Sequence, residues 1–450
     1  MPSQQANVID DAAPLTQRRI LLFWLPLAAS WLLMGTEMPF VNAALARLPE
    51  AERMIAAFGI VGSLSITIES PIIMLLATST ALARSRQNYL MLRRFTQHLM
   101  LLTTAVHFLV AWTPLFDVVV RGWMGAPEAI IEPVRLGMRL MVLWSAAIAW
   151  RRFRQGLMIR FGQTRFVGQG TVLRLTFSAG LATVLALSGR VPGIAVGTLA
   201  LTAGVVVESL YAHLVTRRLV AERFGIATLR GDAADLSYGE LVRFHTPLAA
   251  STLLFLLTQP LISAALARLP NPETVLAAWP VAAGLLFITR APVLAVPEVI
   301  IALIDRPGGR AALRTFAQRA GLACLAALAL LAYTPLGRFY FGIMIGVSPE
   351  LVDRAMTGIQ VGVLLPIVMA WQSWFRGELT AARATPAITL SMMANLATMG
   401  IVLAAGVAIR PPGVALAAVA LTLSSLAETA SLWLAARRVT RLTPGPFPAR

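Results

Sequence analysis

The sequence predicts an all-α integral membrane protein, with twelve transmembrane helices arranged as two parallel six-helix repeats. Three observations predict it. Hydrophobic residues make up 57% of the 450 residues and charged ones only 13%, far below the ~25% charged of an ordinary soluble domain. Apolar runs of about 20 residues recur, long enough at 1.5 Å per residue to cross a hydrocarbon core of about 30 Å. In lipid the backbone must satisfy its own polar groups, so these runs are helices rather than open sheet. The third observation is that the chain repeats itself.

PLAAS at 26–30 recurs at 247–251, and AALARLP at 43–49 recurs at 264–270, an offset of 221 in both cases. Between residues 26–71 and 247–292, 20 of 46 positions are identical. The same offset aligns Leu92, Arg93, Phe95 and Gln97 with Leu313, Arg314, Phe316 and Gln318, and Ala149, Trp150 and Gly156 with Ala370, Trp371 and Gly377. At an offset of 220, Glu208 falls on Glu428 and Arg217-Arg218 on Arg437-Arg438. The resulting map is a cytoplasmic N-terminus (1–19), a six-helix lobe (20–216), a cytoplasmic linker (217–243), a second six-helix lobe (244–438) and a cytoplasmic tail (439–450).

Within the first lobe, the first apolar run extends to about Ala46, too long for a signal-peptide core, and is a retained helix. The following spans fall at about 54–82, 96–120, 134–150, 167–189 and 192–214. The second lobe repeats them at about 246–267, 275–304, 313–333, 351–372, 386–409 and 412–436. An even number of helices per half makes the halves parallel, related by an axis along the membrane normal.

All 38 basic residues are arginine, and the net charge is +17. The arginines sit at helix ends, which marks topology rather than nucleic-acid binding. Placing both termini in the cytoplasm puts about 26 arginines inside and about 10 outside. The single cysteine, Cys324, allows no internal disulfide. His98, His107, His213 and His245 lack ligand spacing, so no metal site is expected. The chain contains no GxxxxGK[ST], GxSxG or HExxH motif, which argues against ATP-driven transport, serine hydrolysis and zinc proteolysis.

Ionised side chains at bilayer depth face a cavity or a partner, and four stand out: Glu37, Glu69, Arg290 and Glu298. Glu37 precedes Pro39, which frees a carbonyl one turn back, near Gly35. A carboxylate beside a loosened helix is a candidate proton or Na⁺ site; the alternative is a structural glutamate bonded to a neighbouring helix. Its repeat counterpart is Thr258, so any such site is present only in the first half. Glu69 and Arg290 occupy equivalent positions, each two residues before a proline, Pro71 or Pro292. Either they meet across a central cleft, as a gate or part of a substrate site, or each pairs within its own half. Glu298 is a further cavity candidate, and Arg290 could instead neutralise it eight residues on. The prolines recurring in both halves, among them Pro39/Pro260 and Pro71/Pro292, are expected to kink their helices and shape the two lobes. Pro39 is the one assigned a kink that changes during transport. The duplication of Glu208 as Glu428 argues for a structural contact within each bundle.

The stretch RRFRQGLMIRFGQTR (151–165), decayed in the second half to WFRGELTAARATP (374–386), resembles the pattern between the fourth and fifth helices of the MOP flippase superfamily, which includes the MATE transporters. The openings of the halves, PLAASWLLMGTEMP followed by SLSITIESP, and PLAASTLLFLLTQP followed by Trp279-Pro280-Val281, resemble the progressive ankylosis protein family. The resemblance implies a MATE-like two-lobed fold with a central cavity, alternating access, and export of a small organic molecule, drug or organic anion against a proton or sodium gradient. It places Glu37 near the first-helix acidic coupling residue of some MATE proteins. A lipid-linked saccharide or lipid flippase is the alternative on the same fold, and a membrane-embedded transferase a remote one. The expected setting is the inner (plasma) membrane. The expected partners are a small-molecule substrate, the coupling ion and the bilayer, with the chain acting as a monomer, without a cofactor or nucleic acid, and not as an enzyme.

Overall fold

The computed structural model describes residues 15–224, 236–382 and 384–442, and all the regular structure among them is helical. The first half contains α1 (Gln17–Leu45), α2 (Ala51–Ile68), the short α3 (Ser70–Ile73) and α4 (Leu75–Leu82), α5 (Arg86–Trp112), α6 (Glu128–Leu140), α7 (Val142–Arg160), α8 (Thr164–Ser188) and α9 (Gly193–Phe224). The second half contains α10 (Tyr238–Leu256), α11 (Thr258–Leu266), α12 (Pro272–Arg290), α13 (Val296–Leu303), α14 (Gly309–Tyr333), α15 (Pro335–Phe339), α16 (Pro349–Val361), α17 (Leu365–Ala381), α18 (Thr385–Ile409) and α19 (Gly413–Leu442).

The offset of 221 reappears as backbone geometry. Residues 75–82 and 296–303 are both helices, as are 164–188 and 385–409, and a π-helical turn at Asp117–Trp123 is matched at Tyr340–Ile345. Among the described residues ten helices are long and apolar enough to cross a membrane, and the pair α16–α17, bent by 46°, makes an eleventh. The twelfth is its repeat counterpart α6–α7, interrupted at Met141 and carrying Arg135 and Arg139 in its first segment. The fold is thus an all-α membrane protein of twelve spans.

Several sequence-based boundaries move; the span predicted at 96–120, for one, is α5 at Arg86–Trp112. The spans predicted at 134–150 and 351–372 extend through Arg160 and Ala381, because arginines bury their stems along a helix and need not end it. Helices also cover residues 217–224 and 238–243 of the predicted linker, while 225–235 lie outside the described residues.

The breaks in the second span of each half follow from proline. Pro71 and Pro292 lack a backbone donor and open the short segments after α2 and α12. Glu69 caps α2 and Arg290 ends α12, so each charge sits at its break. α1, in contrast, runs unbroken through Pro26 and Pro39, whereas its counterpart breaks at Leu257, three residues before Pro260.

By contacts the described chain forms two units. One gathers residues up to 36, 281–341 and from 353 onward; the other gathers 37–280 and 342–352. The openings of the halves are therefore exchanged. In the first unit Trp24 donates from Nε1 to the carbonyl of Pro292 at 3.0 Å and stacks edge-on against Phe316. In the second, His245, the repeat equivalent of Trp24, donates from Nε2 to the carbonyl of Pro71 at 2.7 Å and accepts from Thr78 Oγ1 at Nδ1. Each first helix thus satisfies the backbone of the broken second helix of the other half.

The duplicated AALARLP motif has a similar explanation within the second unit. Arg268 donates to the carbonyls of Ala264, Trp123 and Met124, and Arg47 to those of Ala43, Ile343, Met344 and Ile345, with distances of 2.5–3.3 Å. Each arginine caps the π-helical turn of the opposite half. Gly125 and Gly346 follow those turns at φ +68° and +83°, and a Cβ there would lie 3.6 and 3.3 Å from the guanidinium. Replacing Arg47 and Arg268 together by Gln is expected to lower the unfolding temperature, at about 1.5–3 kcal/mol per charged hydrogen bond before solvent screening. In a Cys324→Ser background it should also speed labelling of Ser348→Cys by an impermeant thiol reagent. Unchanged labelling and melting would show that the clasp contributes nothing.

Duplicated glycines seat the fourth span. A Cβ on Gly156 would come within 2.5 Å of the Leu76 carbonyl, and one on Gly377 within 2.8 Å of Ile300 Cβ. The Leu76 carbonyl is backbone and cannot rotate away, so Gly156→Ala is expected to destabilise by about 1–3 kcal/mol, measurable as a lower unfolding temperature in detergent.

Candidate functional site

A buried cluster of charge lies among the first-half helices. Glu37 projects from α1, Arg151 and Gln155 from α7, Arg174 from α8 and Glu208 from α9, and all five are buried. Arg174 donates to Glu37 Oε2, and its Nε lies 3.0 Å from Glu208 Oε2. Arg151 donates to the same oxygen of Glu208, and Gln155 donates from Nε2 to Oε1 at 3.0 Å. Arg174 therefore bridges two carboxylates, while Glu208 collects three partners. Glu37 Oε1 is buried and has no hydrogen-bond partner among the described residues.

The second half holds a reduced copy. Glu428 accepts from Arg376 Nε at 3.0 Å and from Asn395 Nδ2 at 2.9 Å. Asn395 stands where Arg174 stands in the first half, Arg376 where Gln155 stands, Gln372 for Arg151 and Thr258 for Glu37. The duplicated glutamates thus bind the fourth, fifth and sixth spans of each half together, as their repetition suggested. The extra Glu–Arg pair, Glu37 with Arg174, belongs to the first half only.

Sequence reasoning singled out Glu37 and missed its partners. Arg151 counted as a cytoplasmic end marker, but α7 continues past it and buries it. Arg174 went unremarked, although it lies in the middle of an apolar run, the signal that had singled out Arg290.

The other candidates lie elsewhere. Glu69 is fully buried and accepts from Ser145 Oγ at 3.4 Å, and His107 Nδ1 lies 3.2 Å from that hydroxyl. Glu69 Oε2 has no hydrogen-bond partner among the described residues. Arg290 Nε also lacks one, its guanidinium lies 5.9 Å from the Phe287 ring centre, and among the described residues it forms no ion pair with Glu298, which is exposed. Glu69 and Arg290 belong to different units. Among the described residues no group of three His, Cys, Asp or Glu side chains could hold a metal ion.

No family model matches the sequence, and no curated protein matches it. Solved structures do match. An inward-facing multidrug resistance MATE family transporter of the MOP superfamily is similar at a TM-score of 0.71 and 12% identity, over 91% of this chain and 95% of that one. The lipid II flippase MurJ, in an inward closed conformation, is similar at 0.71 and 10% identity, over 91% and 87%. An outward-facing MATE family transporter is similar at 0.61 and 16% identity, over 95% and 97%. The chain has the fold of the MOP superfamily, the one its fourth-to-fifth helix stretch resembles.

Proposed function

We propose that this chain is a secondary transporter that exports a small organic molecule, a drug or an organic anion, by alternating access, in exchange for a proton or sodium ion, and that Glu37 is the coupling carboxylate. The observation that carries the reading is a buried carboxylate with one unpartnered oxygen, paired to an arginine, in the half-specific part of the cluster. Protonation or cation binding at Glu37 would weaken its hold on Arg174, which keeps Glu208 as a second partner. A titration at one carboxylate is thereby passed from α1 to α8 and α9. Glu69 and Arg290 serve as gate or substrate groups in this reading, with Glu298 as a further cavity group. Pro39, Pro71, Pro260 and Pro292 shape the helices around the path. The chain works as a monomer in the plasma membrane with both termini in the cytoplasm.

Transport in everted vesicles tests it. An imposed pH or sodium gradient should drive accumulation of a cationic dye, or of labelled citrate, pyrophosphate or ATP. Arg290→Gln should abolish anion accumulation if the cargo is anionic. Failure of every cargo under both gradients would favour the second reading, a lipid or lipid-linked saccharide flippase, which the likeness to MurJ supports.

A further inference from the structure

The repeat provides an internal control for a cavity in the second half. In the first half, side chains of α5, α7 and α9 pack against one another. Arg154 lies 4.5 Å from the Trp150 ring centre and 5.6 Å from that of Phe153, and donates to Thr216 Oγ1. Tyr89 stacks on Phe153 at 5.9 Å, and Trp150 donates to His213 at 3.3 Å.

In the second half the same positions carry different residues and the space stands open. Phe375 replaces Arg154, Arg310 replaces Tyr89, Glu378 replaces Leu157 and Trp433 replaces His213. Between α14, α17 and α19, wholly within one unit, a cavity of about 980 Å³ results. Its floor and walls are aromatic: Trp371, Trp374, Phe375 and Trp433, with Trp371 and Phe375 stacked at 5.8 Å. Its rim is basic. Arg310 and Arg314 stand in the first two turns of α14, and Arg437 in the last two turns of α19. Arg437 covers the Trp433 ring at 3.7 Å, Arg314 lies 5.3 Å from that of Trp371, and Glu378 holds Arg310 at 2.7 Å. Three arginines and one glutamate line the groove.

Apolar aromatic walls with an arginine rim, at the end of membrane-spanning helices, match an amphiphile with an anionic head. We propose that this groove is a binding site for one anionic phospholipid. The phosphodiester lies among Arg310, Arg314 and Arg437, and the acyl chains run along Trp371, Phe375 and Trp433. The site is separate from the Glu37 cluster, and the proposal rests only on the chain's being a membrane protein, not on its transporting anything.

The test uses the full-length purified chain in detergent, titrated with phosphatidylglycerol, phosphatidylcholine or inorganic phosphate. Lipid retention is read by native mass spectrometry and stability by thermal unfolding. Phosphatidylglycerol should bind and raise the unfolding temperature, and phosphatidylcholine should do neither. Arg314→Gln and Arg437→Gln should each weaken binding about fivefold, the factor equivalent to about 1 kcal/mol per arginine near an anionic headgroup. Both positions are exposed, so the variants should melt like the wild type without lipid. Ala430→Trp, which fills the groove and keeps every arginine, should abolish binding. Equal binding of both lipids, full competition by inorganic phosphate, or wild-type affinity in Ala430→Trp would overturn the proposal. So would a dimer of the wild type that the same substitutions dissociate, since the groove would then be an interface between copies.

Discussion

Glu37→Gln is expected to reduce gradient-driven accumulation to the level of vesicles lacking the protein, while the purified variant still folds. Glutamine keeps the shape of the side chain and can still accept a hydrogen bond from Arg174. Arg174 also keeps a carboxylate partner in Glu208, 3.0 Å from its Nε, which it then shares with Arg151. What glutamine cannot do is take up and release a proton or hold a sodium ion. A purely structural Glu37 predicts the opposite pattern: transport persists in the variant and the unfolding temperature falls. Running the assay under a pH gradient and a sodium gradient in turn identifies the ion, since only the coupled gradient should lose its effect.

Arg174→Leu is expected to destabilise the protein by about 3–5 kcal/mol, the usual consequence of removing one partner of a buried ion pair. Glu208 would keep Arg151 and Gln155, but Glu37 would lose the cation that donates to it. The penalty should shrink when the carboxylate is removed as well. The pair Glu37→Gln with Arg174→Asn approaches the arrangement already present in the second half, where Thr258 and Asn395 stand at these positions. A double-mutant cycle by thermal unfolding measures the coupling. Additive effects would show that Glu37 and Arg174 do not act as a pair.

The two predictions divide the cluster by role. Glu208 and its copy Glu428 bind three spans in each half and are expected to behave as structural groups. The Glu37–Arg174 pair is superimposed on that scaffold in one half only. A structural glutamate is repeated because both bundles need it. Glu37, the carboxylate proposed to couple transport, carries no such constraint, and its counterpart is Thr258.

The helical membrane class, the repeat and the count of spans were legible because each rests on local physics. Backbone satisfaction in lipid, the rise of a helix and the loss of a donor at Pro71 and Pro292 all act within a few residues. Glu37 was legible for the same reason, as a charge in an apolar run. Its partners were not: Arg174 is 137 residues away and Glu208 a further 34, and no local rule says which helices pack. The exchange of first helices was equally hidden. Trp24 with Pro292, His245 with Pro71, and Arg47 with the turn at Tyr340–Ile345 join opposite halves of the chain. Sequence by itself determined the solvent, the helical class and the duplication. Tertiary structure decided which buried charges share one another's field and where the two halves differ enough to leave a groove, because burial and pairing depend on neighbours that meet only in the folded chain.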